Sequence, residues 1–218
     1  MRASLLVLLL ASAPALAAGY TVPIDVGIGP AAYVISGPVF ADQPIHFGLK
    51  INVEAVIDQE WIRKNPRAVP KQYRRMANKI TEARMSHFLV PDSFFISPKV
   101  KNTGIYGVTW RPLGLNQSFG EGGAKFRLGA GLLLTYAFIH SDSEFVPTTH
   151  FIRPGLDLMA ELEFIAAKTF GVSFGWASGF YIPQQLGTLG IGPIDESVWH
   201  VGQAFLKVHF RFPYEVRR

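Results

Sequence analysis

The chain has 218 residues, 49% of them hydrophobic and 13% aromatic, with a formal net charge of +5 and no cysteine. That length suits one ordinary domain rather than two, and the lack of cysteine excludes disulfides, thiolate metal sites and thiol nucleophiles. Between Asp58 and Arg84 eight Lys and Arg stand against three Asp and Glu, so the basic excess belongs to one segment and does not describe a nucleic-acid surface.

Residues 1–18 read as a secretory signal. Arg2 supplies the positive start, Leu5–Leu10 the apolar stretch and Ala15-Leu16-Ala17 the small-residue cleavage site, with cutting expected after Ala17 or Ala18. Residues 19–218 are then expected to form a single domain. Beyond the signal no run reaches the roughly 20 apolar residues of a membrane helix.

Eight strand candidates follow, at 22–36, 44–56, 93–100, 104–113, 124–139, 150–166, 169–182 and 198–212. The sixth shows the pattern best. Ile152, Pro154, Leu156, Leu158, Ala160, Leu162 and Phe164 share one face, while Arg153, Asp157, Glu161 and Glu163 share the other. In the second, Ile45, Phe47, Leu49, Ile51, Val53 and Ala55 alternate with His46, Gly48, Lys50, Asn52 and Glu54. The turn signals between candidates include Asn102-Thr103-Gly104, the glycine-rich stretch at 120–123, and Lys168. The third and fourth candidates are short, and Pro98 interrupts the third; read as one bent strand they would leave seven. An even number fits a barrel whose two chain ends share the periplasm.

Several candidates run well past the five or six residues of an ordinary strand, enough to cross a bilayer at a tilt and project beyond it. On the apolar face aromatics sit towards strand ends, among them Phe126, Tyr136, Phe138, Phe164, Phe170, Phe180, Phe210 and Phe212, as two interfacial girdles would require. The opposite face of the seventh candidate holds Gly171, Ser173, Gly175, Ala177 and Gly179, which suit a crowded lumen. A soluble barrel with its apolar face turned inward would share the alternation.

Over most of 20–212 the chain resembles small Gram-negative outer-membrane β-barrel proteins in architecture and pattern. Phe210-Arg211-Phe212 is similar to the aromatic end-strand signal of that class, although here the chain continues to Arg218. The expected fold is therefore all-β, a single antiparallel transmembrane β-barrel of eight strands, in outer-membrane lipid, with a helical insertion after the second strand.

That insertion spans 57–91. A short helix is expected around Asp58–Lys64, ended by Pro66. After Pro70, Tyr73, Met76, Ala77 and Ile80 fall on one helical face, with Lys71, Arg74, Arg75 and Lys79 opposite or flanking. Strand parity puts the insertion in the periplasm. Its four cations are the candidate partner-binding residues, for a periplasmic protein, peptidoglycan or an anionic lipid surface, and no nucleic acid is implied.

The polar faces are expected to pair across the lumen. A hairpin centred on residue 144 sets Lys125 opposite Glu163 and Arg127 opposite Glu161. Barrel closure brings Asp25 near Arg211 or His209. Charges of both signs in so narrow an interior read first as structural ion pairs. No cofactor is implied. The six histidines show no metal-ligand spacing. His140-Ser141-Asp142-Ser143-Glu144 holds the residue types of a hydrolase triad, but adjacency is not geometry, and no catalytic residue is assigned. An envelope anchor or scaffold is the leading reading. A small plugged transport barrel is the alternative, and a lipid A-modifying enzyme a weaker third.

Overall fold

Strict alternation over long stretches leaves each strand one way to sit, with its charged face on one side of the wall and its apolar face on the other. The computed structural model describes residues 20–35, 45–66, 82–86, 90–96, 103–120, 122–142, 148–181 and 199–216. The strands are β1 (Tyr20–Ile35), β2 (Ile45–Asp58), β3 (Glu82–Ser86), β4 (Pro91–Ile96), β5 (Thr103–Phe119), β6 (Ala124–Ser141), β7 (Thr149–Ala167), β8 (Phe170–Tyr181) and β9 (Trp199–Val216). The helix α1 (Gln59–Lys64) follows β2.

All the strand pairings are antiparallel, and β1 meets both β9 and β2, so the wall closes on itself. Segments β3 and β4 occupy one wall position, since β2 and β5 each pair with both. The barrel thus has eight strand positions, the third built from two pieces. The expected third strand at 93–100 is replaced by this broken one. Residues 82–86, assigned by the sequence to the insertion, belong to the wall. The pattern Glu82-Ala83-Arg84-Met85-Ser86 is itself a short period of two, masked in sequence by the helical spacing that precedes it. The fourth strand runs to Phe119 instead of 113, and the last to Val216, with Pro213 opposite Pro23.

Both described chain ends, α1 and the β5–β6 and β7–β8 turns lie at one end of the barrel. Gly120 and Gly122 give the first of these turns its left-handed backbone, with φ of +97° and +76°. The signal stretch 1–18 and most of the insertion, including Lys71, Arg74, Arg75 and Lys79, lie outside the described residues.

The exterior is apolar. Phe47, Ile152, Leu156, Leu158 and Leu206 are each half exposed or more, whereas Asp25, Glu54, Arg84, Arg127, Glu161 and Lys207 are buried in the lumen. Even the outward Trp176 indole N–H is satisfied, by Ser178 Oγ at 2.9 Å, as lipid contact demands. This arrangement excludes the soluble, inside-out barrel, which would hold its carboxylates on the outside.

Candidate functional site

The lumen divides into two zones. In the half nearer the chain termini, an ion-pair network fills the cross-section. Arg84 is its centre: it reaches Asp25 at 3.1 Å, Glu82 at 2.8 Å and Glu163 at 2.7 Å, with its side chain fully enclosed. Arg127 is bonded to Glu161 and lies 3.4 Å from Glu54. Glu161 also meets Lys207 at 3.1 Å. Above this, Arg111 links Asp157 (3.1 Å), Asn116 (3.0 Å) and Ser86 (3.2 Å), and Asn116 in turn bonds Glu54. The guanidinium of Arg111 lies beside Gly114, Gly129 and Gly131, where any added Cβ would meet it or its partners. Glycine here makes room for arginine.

The register places Lys125 opposite Glu163 and Arg127 opposite Glu161. Arg127 takes its cross-strand partner. Lys125 instead bonds Glu82 at 2.6 Å, because Arg84 from the broken strand already holds Glu163. Asp25 lies across from Arg211 and contacts both it (3.4 Å) and His209 (2.8 Å). The sequence reading missed Glu82, Arg84 and Arg111. The first two sit in the segment taken for the insertion, and Arg111 lies at a register shift in β5 where simple alternation fails.

In the opposite half the lumen is apolar, packed by Tyr33, Ile35, Phe95, Leu133, Ala137, Ile139 and Tyr181. Between the zones, Tyr33, Lys50, Asp92, Thr135, Asp157 and Gln203 line a cavity of about 30 Å³, room for one or two water molecules and not for a solute. Two short polar chains border it. Lys50 donates to Gln203, which donates to Tyr33 OH (3.3 and 2.6 Å); Thr135 Oγ1 bridges Thr109 and Tyr181 (2.9 and 2.8 Å).

Two arrangements invite a chemical reading. Asp25, Glu163 and His209 bring ligand atoms within 4.8 Å of one another, yet Arg84 bonds both carboxylates, so the charge a metal would neutralise is already matched. Ser173 Oγ, His209 Nε2 and Asp25 form a Ser–His–Asp hydrogen-bonded chain. However, Glu161 Oε1 lies 3.3 Å from the same Nε2, and Ser173 is fully buried. The Nε2 atom is thus shared between Ser173 and a second carboxylate, so the imidazole is not dedicated to the serine, and an enclosed serine has no route to substrate. The stretch at 140–144 yields a surface contact, His140 Nε2 to Asp142 Oδ1 at 3.5 Å; Ser143 and Glu144 lie outside the described residues.

No protein-family model and no curated protein matches the chain. Among solved structures it is similar to Neisserial surface protein A, at 13% identity over 87% of this chain and 97% of that one, with a TM-score of 0.51. The fold is that of small outer-membrane β-barrels. Two further solved structures match with lower scores. A major outer membrane protein from Thermus thermophilus has 10% identity, coverage of 87% and 99%, and a TM-score of 0.49. Ail of Yersinia pestis, solved with a heparin analogue, has 12% identity, coverage of 88% and 99%, and a TM-score of 0.46. The apolar exterior and charged interior of the described wall agree with that fold.

Proposed function

We propose that the protein is an envelope anchor or scaffold, exported by residues 1–18, with the basic segment around Lys71, Arg74, Arg75 and Lys79 as its periplasmic docking element. The observation that supports this is the plugged lumen. Arg84, Arg127 and Lys207 are each fully enclosed and tied to carboxylates from other strands, so a solute crossing the barrel would have to break several buried ion pairs, each costly to open. That weighs against a porin and moves the functional surface to the barrel's ends. The same enclosure of Ser173 and His209 weighs against an enzyme.

Two measurements test the reading. In planar bilayers the refolded protein gives no resolved channel at moderate salt and voltage; steady unitary conductance would favour the plugged transport barrel. In cells, neutralising Lys71, Arg74, Arg75 and Lys79 together leaves the protein heat-modifiable in the outer-membrane fraction while its cellular function is lost. Retained function with all four charges removed would refute the docking role.

A further inference from the structure

The third wall position holds more chain than its neighbours need. Along β2, Glu54 faces Ser86 and Lys50 faces Ser93, so seven steps of the broken strand run beside four of β2. One of the three surplus residues is the bulge at Asp92, where Pro91 faces Trp110 and Ser93 faces the adjacent Thr109. The other two lie between Ser86 and Pro91. They are enough chain for β3 to move along its neighbours by two residues while β4, with its Asp92–Lys50 ion pair, stays in place. A two-residue step keeps every side chain on its own face of the wall, whereas a step of one would turn Arg84 towards lipid.

The chain on the periplasmic side of β3 is fastened at its far end. Asp58 caps α1 by accepting from Trp61 N at 2.7 Å. The Trp61 indole N–H donates to Thr21 O at 2.9 Å, satisfying a carbonyl of β1, and Trp61 and Ile62 are buried. Chain released by β3 therefore lengthens the basic segment from one end only. Arg84 opposes that release. Its guanidinium holds Asp25 at 3.1 Å and Glu163 at 2.7 Å, carboxylates that belong to other strands, while Glu82 travels with it on β3.

We propose that β3 is a sliding strand with two registers, and that Arg84 is the catch that holds it in the register seen here. A two-residue step towards the periplasm carries Met85 from Ala55 to Ile57 along β2 and from Leu115 to Gln117 along β5. Glu82 leaves the wall, and Arg84 takes its place between Asp58 and Ser118. Two residues of strand rise are roughly 7 Å, so the contacts with Asp25 and Glu163 break, which is costly for buried ion pairs. The inference adds a regulating step to the docking role proposed above: tension on the basic segment releases the catch, and release extends the segment. It rests on that role for its use and not for its registers, which are tested without a partner, so the two readings fail separately.

The chain has no cysteine, so paired substitutions report register without background. Met85→Cys with Leu115→Cys reports the register seen here, and Met85→Cys with Gln117→Cys the slid one. Directly opposed Cβ atoms lie roughly 4.5–5.5 Å apart, and an offset of two residues takes them beyond disulfide reach. Each full mature chain is refolded into vesicles and oxidised with a lipid-soluble copper complex. With Arg84 present the first pair links, and the second links in about 10% of molecules or fewer, as for a minor state. Arg84→Met makes the second link the major product. Glu163→Gln removes one charge from the catch and raises the second link by a smaller factor; it decides the matter should Arg84→Met fail to become heat-modifiable. Deleting residues 88 and 89 takes away the surplus and returns the Arg84→Met chain to the first link. A heat-modifiable Arg84→Met chain that keeps only the first link, or forms neither, overturns the proposal. So does a second link that is unchanged in Glu163→Gln, or one that survives the deletion.

Discussion

Arg84 is the side chain on which the lumen network depends most, and its replacement by methionine removes the charge while keeping much of the length. The guanidinium contacts three carboxylates at 2.7–3.1 Å. At an effective dielectric of about 20 each such pair attracts by roughly 5–6 kcal/mol, but burying the arginine cancels most of that sum. What Arg84→Met leaves behind decides the outcome. Asp25 keeps His209 and Arg211, and Glu82 keeps Lys125 and Ser118. Among the described residues Glu163 keeps only Arg127 and Arg211, at 3.8 and 3.9 Å. An enclosed carboxylate is thus stranded, and the expected cost is about 3–5 kcal/mol. Adding Glu163→Gln removes the stranded charge and should recover about 1–3 kcal/mol, a coupling typical of residues in one network. Urea titrations of vesicle-inserted protein, followed by tryptophan fluorescence, measure the four corners of this cycle. A cost below about 1 kcal/mol for Arg84→Met, or strict additivity of the two substitutions, would refute the view that buried ion pairs hold the lumen closed.

Three further outcomes follow from the same geometry. Leu158 faces outward near the middle of β7 and is 59% exposed, so Leu158→Arg should cost about 2–4 kcal/mol in the same titration; insertion and stability equal to wild type would mean that this face does not meet hydrocarbon. At Gly131 an added Cβ would lie 2.5 Å from Arg111 Nε and 2.7 Å from Asp157 Oδ1, and Gly131→Val should lower stability by about 1–3 kcal/mol through overpacking, with Gly123→Ala, whose Cβ would meet only Ile165 O at 3.6 Å, as the milder comparison. Trp61→Phe keeps the ring buried but strips the donor from Thr21 O, and should raise amide exchange at the start of β1 while leaving the barrel heat-modifiable on a gel.

The sequence by itself determined the wall. A period of two sustained through β2, β6 and β7 leaves no other way to separate Leu156, Leu158 and Leu162 from Asp157, Glu161 and Glu163, and the short helix after β2 was marked by Asp58 ahead of it and Pro66 behind. Cross-strand registers such as Arg127 with Glu161 were also legible, because a hairpin's register follows from its centre. The tertiary structure alone decided which neighbours share a charge. Lys125 faces Glu163 along the strand, yet a third chain segment delivers Arg84 between them, and register within one hairpin carries no information about a side chain arriving from across the lumen. It also decided that the third wall position is built of two pieces: five alternating residues are too few to outweigh a preceding helical period, and only closure against β2 and β5, which supplies their backbone partners, fixes 82–86 as strand. The Ser173–His209–Asp25 chain arises the same way, from β1, β8 and β9 meeting at the seam of the barrel, and its enclosure by Glu161 and Gly27 is a property of packing that no one-dimensional spacing records.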